Sequence, residues 1–235
     1  MESNDKDKSL TFAISVAKAI ADLGGRAFFV GGYVRDKLLG MENLDIDIEV
    51  YGLAKEDLKK LLQTFGTVSD KGEEYGIFSL MEYGIDFALP RREKATGKGH
   101  KDFLVSPDPD LSFREAAIRR DFTINAMMED ILSGEIVDPF GGRADLDKKL
   151  LRHMDSERFV EDPLRALRAC QFAARFGFTM AEETKALCKT MDLTILTPER
   201  VREEMLKGLL KSKKPSDFFV FTYQYTNDRF WFKEV

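Results

Sequence analysis

The chain has 235 residues, of which 43% are hydrophobic and 33% are charged, and its net charge is −5. This length fits one large domain or two small ones, and the acidic balance argues against a general nucleic-acid binder. No apolar run approaches the roughly 20 residues of a membrane span, and the N-terminus does not resemble a signal peptide. We therefore expect a cytoplasmic protein with no membrane partner, in which Cys170 and Cys188 are reduced packing residues.

The first 140 residues alternate between helical and strand-like patterns and carry a net charge of −8. Apolar spacing predicts helices at 11–23, 33–40 and 54–66, and strands at 27–30, 44–51, 75–83 and 84–90. Residues 91–110 are polar and rich in glycine and proline, which predicts a long loop.

The second half is mostly helical, and residues 141–214 carry a net charge of +4. A helix over 113–128 is expected to lead into a hairpin at Ser133-Gly134, followed by helices at about 143–149, 162–176, 181–190 and 198–212. Asp162 and Thr197 are candidate N-caps. The sequence predicts an α+β head at 1–140 and an all-helical neck at 141–212. The aromatic tail at 213–235 either packs on the neck or begins a further domain.

The stretch LDIDIEV places Asp45, Asp47 and Glu49 at alternate positions, so on a strand they share one face. Like charges side by side repel, and a bound cation would neutralise them. A sheet with one solvated face gives the same pattern. Glu49 either supports the two aspartates from behind or is simply solvated, and we favour the second interpretation.

The stretch VGGYVRD predicts a strand, a tight turn at Gly31 and Gly32, and a helix that carries Arg35. A helix N-terminus beside glycines can bind an anion, and Arg35 could reach a phosphate. The P-loop and Rossmann patterns are absent, and a plain strand-to-helix turn remains an alternative.

The glycine turn precedes the aspartate pair by about a dozen residues, so one unit could hold a triphosphate and its divalent ions. Two such ions can activate an attacking oxygen and stabilise a leaving one. Asp86, between apolar Ile85 and Phe87, is the best third carboxylate, although an exposed strand residue would look the same.

Two further stretches carry candidate ligand-binding residues. In EDPLRALRACQFAARFG, Asp162, Arg165 and Arg168 offer the paired acceptors and donors that match the edge of a base, although a solvated face with an N-cap is the alternative. In RRDFTINAM, Arg120 could meet phosphate and Asp121 could cap an apolar helix. His153 is interpreted as a structural histidine.

Six motifs in this order resemble the bacterial-type (class II) tRNA nucleotidyltransferases and their poly(A) polymerase relatives over about residues 26–215. They are VGGYVRDKLLG, DID, RRDFTINAM, DPFGGRADLDKKLLRH, EDPLRALRACQFAARFGF and TPERVREEMLKGLL. The resemblance implies a polymerase-beta-like nucleotidyltransferase head with a small mixed sheet, followed by an all-helical neck. Family members carry body and tail domains beyond the neck, whereas this sequence ends about 20 residues after the predicted neck.

The resemblance also implies roles for the candidate residues. Asp45 and Asp47 would bind catalytic Mg²⁺; that Asp86 assists them is our own hypothesis from its position. Gly31, Gly32, Arg35 and Arg120 would contact the phosphates or sugar of CTP or ATP, and Asp162 and Arg165 would pair with the base, with Arg168 nearby. The loop at 90–103 corresponds to the flexible loop associated with switching from C to A addition.

The predicted function is template-independent addition of CMP and/or AMP to the 3′ end of tRNA by two-metal in-line attack. A poly(A) polymerase and an inactive nucleotide- or RNA-binding remnant are the alternatives, and a DxD glycosyltransferase is a distant one. The sequence does not predict an oligomeric state.

Overall fold

The computed structural model describes residues 2–43, 45–69, 71–95 and 103–227. The chain divides into two compact units. The first unit is drawn from residues 1–94, 104–119 and 125–140, and the second from 95–103, 120–124 and 141–235. The second unit therefore takes in a short segment, 120–124, that precedes its main part in the sequence.

The first unit alternates helices and strands. Its elements are α1 (Glu2–Asp22), β1 (Arg26–Val30), α2 (Gly32–Leu38), β2 (Asp47–Tyr51), α3 (Lys55–Gln63), β3 (Val68–Ser69), β4 (Ile77–Leu80), β5 (Ile85–Ala88), β6 (Arg91–Ala95), β7 (Phe103–Pro107), α4 (Phe113–Ala117), β8 (Met128–Asp130) and β9 (Ile136–Val137).

In the described part of the chain, one sheet has the strand order β3-β4-β5-β2-β1-β8-β9, and β6 pairs with β7 separately. Strands β2 and β5 run parallel, whereas β1 is antiparallel to both of its neighbours, β2 and β8. The predicted mixed sheet is therefore confirmed. One face packs Phe28, Tyr51 and Met128 into a core cluster with Phe113 of α4, so α4 covers that part of the sheet.

Two predicted elements differ in the structure. The segment predicted as a loop at 91–110 contains the paired strands β6 and β7, and residues 96–102 between them lie outside the described residues. The helix predicted at 113–128 ends at Ala117, and the chain then forms a 3₁₀ turn and β8. Met128 pairs with Val30 of β1, so sheet pairing overrides the helical pattern there.

The second unit is mainly helical. Its elements are α5 (Gly142–Asp147), β10 (Leu150–Leu151), α6 (Ser156–Val160), α7 (Leu164–Phe176), β11 (Thr179–Met180), α8 (Glu182–Cys188), α9 (Pro198–Leu210) and α10 (Ser216–Tyr225). The neck is not all-helical, because it contains the short parallel strand pair β10–β11. Neither this pair nor the helix α6 was predicted. Both strands are only two residues long, which is too short for a sequence pattern to show.

Helix α10 lies in the aromatic segment for which the sequence left two alternatives open, and it packs against α7 and α9. Phe218 is buried over Gly208 of α9. A Cβ atom at Gly208 would lie 2.8 Å from the Phe218 ring, so only glycine permits this approach of the two helices. The helix therefore contributes to the core of the second unit.

Both cysteines are buried and free, as expected for reduced packing residues. Burial raises the pKa of the Cys188 thiol to about 12 and raises the pKa of Cys170 as well. Both thiols therefore remain protonated and unreactive at neutral pH.

His153 is a hydrogen-bonded structural histidine with only 8% of its surface exposed. Its Nδ1 lies 2.8 Å from the Thr184 hydroxyl and its Nε2 lies 2.9 Å from the Ser156 hydroxyl. Burial lowers the pKa of His153 below its ordinary value of 6.5. The His153 imidazole therefore binds a proton more readily in the unfolded chain than in the folded one.

We expect this histidine to make the protein less stable as the pH falls below 6.5, because the proton then favours unfolding. His153→Gln should flatten this slope and, at pH 7.5, should cost about 1 kcal/mol for a lost hydrogen bond. Urea unfolding of both proteins at pH 7.5 and 5.5 measures the difference. Equal losses of stability on acidification would contradict the assignment.

Candidate active site

Two carboxylates lie side by side on the exposed face of the first unit's sheet, and a third lies just before it in the chain. Asp47 begins β2 and lies in register with Asp86 of the parallel strand β5, while Asp45 lies just before β2. All three residues are exposed, whereas the alternating Ile48 and Phe87 are buried on the other face. Neighbouring strands lie about 4.8 Å apart, so Asp47 and Asp86 are adjacent.

The donor set at these positions is made of carboxylate oxygens, which suit a hard divalent cation. Within the described ranges, no group of three or more His, Cys, Asp or Glu side chains is arranged to hold a metal ion by itself. Mg²⁺ is usually bound through one or two carboxylates together with substrate phosphates. The residues therefore fit an ion that arrives with a nucleotide.

The backbone at Asp45 is held in place by Asn43. The Asp45 amide donates to Asn43 Oδ1 at 2.9 Å, and Asn43 Nδ2 donates to Asp36 Oδ2 at 2.9 Å. Asp36 lies on α2 and is 1% exposed. The segment with Asp45 is therefore tied to the helix that follows the glycine turn.

The glycine turn has the backbone that the sequence predicts. Gly31 has φ +66°, which favours glycine, and Gly32 begins α2. A Cβ atom at Gly32 would lie 3.4 Å from Arg35 Nη2 and 3.6 Å from Asn43 Nδ2. The turn therefore packs closely on the network that holds Asp45.

Arg35 belongs to this network and is only 4% exposed. Its guanidinium donates to Asp36 Oδ1 at 2.7 Å and to Asn125 Oδ1 at 2.6 Å. The sequence predicted a contact with phosphate, but the structure places Arg35 inside the protein. Sequence reasoning missed its partners Asp36 and Asn125, although both lie in the quoted motifs.

The structure contradicts the favoured interpretation of Glu49 as a solvated residue. Glu49 is 1% exposed, accepts from Arg119 Nη2 at 3.0 Å and accepts from the Tyr51 hydroxyl at 3.0 Å. Asp47 and Glu49 share one face of the sheet, which is exposed to solvent at Asp47. At Glu49 the same face is covered, because the core cluster with α4 packs on it there. Glu49 therefore anchors the strand that carries Asp47.

In the second unit, Asp162 makes two contacts. Its Oδ1 accepts from the Leu164 amide at 3.1 Å at the start of α7, and its Oδ2 accepts from Arg200 Nη2 of α9 at 2.8 Å. Arg165, the second residue of α7, donates to the Arg158 carbonyl at 2.5 Å. Asp162 thus bonds to the backbone at the start of α7 and is held by an ion pair that the sequence did not reveal. The Thr197 side chain makes no capping hydrogen bond at α9.

Arg168 of α7 forms a further ion pair in this unit. It donates to Asp121 Oδ2 at 2.6 and 2.8 Å, and its guanidinium lies over the Phe172 ring. The Asp121 carboxylate raises the pKa of the Arg168 guanidinium. Asp121 also accepts from the Phe122 amide, and only a three-residue 3₁₀ turn follows, so the predicted apolar helix after it is wrong.

The predicted nucleotide-binding residues are divided between the units. Gly31, Gly32 and Arg35 lie in the first unit. Half-buried Arg120 lies in the second unit, as do Asp162, Arg165 and Arg168.

A model of the poly A polymerase head domain matches residues 27–152, which is more than half of the chain. The chain belongs to the poly A polymerase head domain family. This membership confirms the resemblance read from the motifs. A second family model, described as the probable RNA and SrmB-binding site of polymerase A, matches residues 177–220.

Two curated relatives of this poly A polymerase family chain are named multifunctional CCA protein. The protein of Aromatoleum aromaticum is 42% identical over 199 residues, covering 83% of this chain and 47% of the relative. That of Laribacter hongkongensis is 42% identical over 198 residues, with the same coverage. The chain therefore spans about half the length of the curated relatives it matches.

Solved structures of similar fold confirm the fold class that the sequence predicts for this chain. The CCA-adding enzyme in apo form II superposes with a TM-score of 0.78 at 32% identity, covering 93% of this chain and 53% of that chain. The Thermotoga maritima CCA-adding enzyme complexed with tRNA gives 0.74 at 31% identity, covering 94% and 53%. The Bacillus stearothermophilus enzyme in complex with CTP gives 0.75 at 29% identity, covering 91% and 51%.

The described ranges contain no helix that combines the length and apolar character needed to cross a lipid bilayer.

Proposed function

We propose that the chain is a template-independent nucleotidyltransferase that adds CMP and/or AMP, from CTP or ATP, to the 3′ end of tRNA. The observation that carries this proposal is the pairing of Asp47 with Asp86 beside Asp45, on an exposed sheet face next to a glycine turn. The solved neighbours in complex with tRNA and with CTP support the same chemistry.

Asp45 and Asp47 would hold Mg²⁺, with Asp86 as a third carboxylate. When bound, the ions would lower the pKa of the attacking hydroxyl and neutralise charge on the phosphates. The exposed position of all three side chains leaves them open to an ion that enters with the nucleotide.

The glycine turn and Arg120 would contact the nucleotide's phosphates or sugar. Arg35, which is buried, acts as a positioning residue: through Asp36 and Asn43 it holds the segment that carries Asp45. Catalysis by this part of the site is mainly positioning and charge stabilisation.

Asp162 and Arg165 of the second unit would pair with the base of CTP or ATP, because a carboxylate and a guanidinium supply paired acceptors and donors. Arg200 holds Asp162 in one orientation, and Asp121 does the same for nearby Arg168. Held side chains discriminate better between bases because less conformational freedom is lost on binding.

In the reaction, the 3′ hydroxyl oxygen of the RNA bonds to the α-phosphorus of the nucleotide. The bond from that phosphorus to the bridging oxygen of pyrophosphate breaks, and the hydroxyl proton leaves to solvent. The exposed face beside Asp86 gives an RNA end access to this position.

The test is incubation of the full chain with Mg²⁺, each labelled nucleoside triphosphate in turn, and tRNAs that end before CCA, after the first C, or after CC. We expect CMP to be added to the first two acceptors, or AMP to the third, with no incorporation of UMP or GMP. Long tails from ATP alone would instead identify a poly(A) polymerase. Nucleotide binding without release of pyrophosphate would identify an inactive binding protein.

A further inference from the structure

A row of polar side chains continues from the aspartates across the sheet of the first unit. Asp86 of β5 lies in register with Asp47 on one side and with Ser79 of β4 on the other, and Ser79 lies in register with Ser69 of β3. Registered residues project from the same face of a sheet. The flanking Phe78 and Leu80 are fully buried on the opposite face, which fixes the direction of the Ser79 side chain.

The strand order gives this row a direction. β1, which leads into Gly31 and Gly32, lies on one side of β2, whereas β5 and β4 lie on its other side. A triphosphate that contacts the glycine turn therefore occupies the β1 side of Asp47. In an in-line displacement the attacking oxygen lies opposite the leaving group. The acceptor ribose consequently lies on the other side, over Asp86 and Ser79.

The Ser79 hydroxyl can both donate and accept a hydrogen bond. Within the described ranges it has no hydrogen-bond partner, whereas the Ser69 hydroxyl accepts from the Lys71 amide. The ribose that attacks through its 3′ oxygen carries a 2′ hydroxyl on the neighbouring carbon, and this group distinguishes RNA from DNA. A hydroxyl one strand beyond Asp86 is placed to bind it.

We propose that Ser79 binds the 2′ hydroxyl of the acceptor's terminal ribose and so selects an RNA end, an inference that rests on the proposed function. Ser79 on this assignment contacts the acceptor and not the incoming nucleotide. Loss of the Ser79 hydroxyl should therefore weaken binding of the acceptor and leave the binding of CTP or ATP unchanged.

The experiment measures binding separately from turnover. Fluorescent tRNA acceptor-stem hairpins that end in cytidine or in 2′-deoxycytidine are titrated with the full chain, Mg²⁺ and a non-hydrolysable CTP analogue. We expect the chain to bind the ribose end about tenfold more tightly, the factor of one hydrogen bond. Ser79→Ala should abolish this preference and Ser79→Thr should keep it. Ser15→Ala, which removes an exposed hydroxyl on α1, should change nothing.

A ribose preference that persists in Ser79→Ala would overturn the inference, as would an absence of preference in the unaltered chain or an equal weakening of both hairpins. Incorporation assays on the same proteins test the proposed function. A preference that depends on Ser79 in a chain that incorporates no nucleotide would support the inference and contradict the transferase assignment. In an active chain, Ser79→Ala should raise KM for the acceptor and leave KM for CTP unchanged.

Discussion

Asp47→Asn is expected to lower nucleotide incorporation about a thousandfold or more while the protein remains folded. The substitution removes one of the two negative charges proposed to hold Mg²⁺, so charge on the reacting phosphates is no longer neutralised. Asp47 is exposed at the start of β2, and its replacement leaves the buried Ile48 and Phe87 undisturbed. Rates of labelled CMP or AMP incorporation, together with urea unfolding curves, measure both effects.

Asp110→Asn is the matched control, because it removes the same charge from an exposed position away from Asp45, Asp47 and Asp86. It should retain the activity and stability of the unaltered chain. Asp47→Asn with more than a tenth of the normal rate would remove Asp47 from the metal site. A loss of folding in Asp47→Asn alone would show that its role is structural.

The positions of Asp45, Asp47 and Asp86 are the part of the site that the sequence predicts best. Strand alternation placed Asp45 and Asp47 on one face, and apolar neighbours on both sides indicated Asp86 as the third carboxylate, whose register with Asp47 the structure shows. The same alternation misjudged Glu49, because it shows which residues share a face but not which element covers that face. Arg119, 70 residues further along the chain, is the partner that makes burial of Glu49 possible.

Long-range partners also explain the outcome for the arginines. Arg35 bonds to Asn125, 90 residues away, and Asp162 bonds to Arg200, 38 residues away. Residue type shows that these groups can bind a phosphate or a base, but contacts within the protein use the same donors and acceptors. Only the folded chain shows that Arg35 is buried and bonded to groups of the protein itself.

Fold prediction failed where pairing decides the structure. The stretch that ends at Met128 has a helical pattern, yet Met128 begins a strand that pairs with β1. The two-residue strands β10 and β11 carry no periodicity, so the sequence could not indicate them. The longer helices α7 and α9 were predicted because 13 residues show a helical repeat clearly.

Arg119→Met should lower the free energy of unfolding by about 3 kcal/mol, the cost of leaving one member of a buried ion pair without its partner. Glu49 is 1% exposed, so its carboxylate cannot recover the lost contact from water. Methionine keeps most of the side-chain volume, which limits any packing defect. Urea unfolding monitored by circular dichroism measures the change.

The double variant Glu49→Gln with Arg119→Met separates the ion pair from packing. Glutamine carries no charge and can still accept from the Tyr51 hydroxyl, which donates to Glu49 at 3.0 Å. If the cost of Arg119→Met comes from an uncompensated buried charge, the double variant should be more stable than the single one. A double variant that is no more stable, or a single variant that loses less than about 1 kcal/mol, would show that the pair does not anchor β2. The anchoring matters for catalysis because Glu49 lies two residues from Asp47 on the same strand, so displacement of Glu49 would also move the carboxylate proposed to hold Mg²⁺.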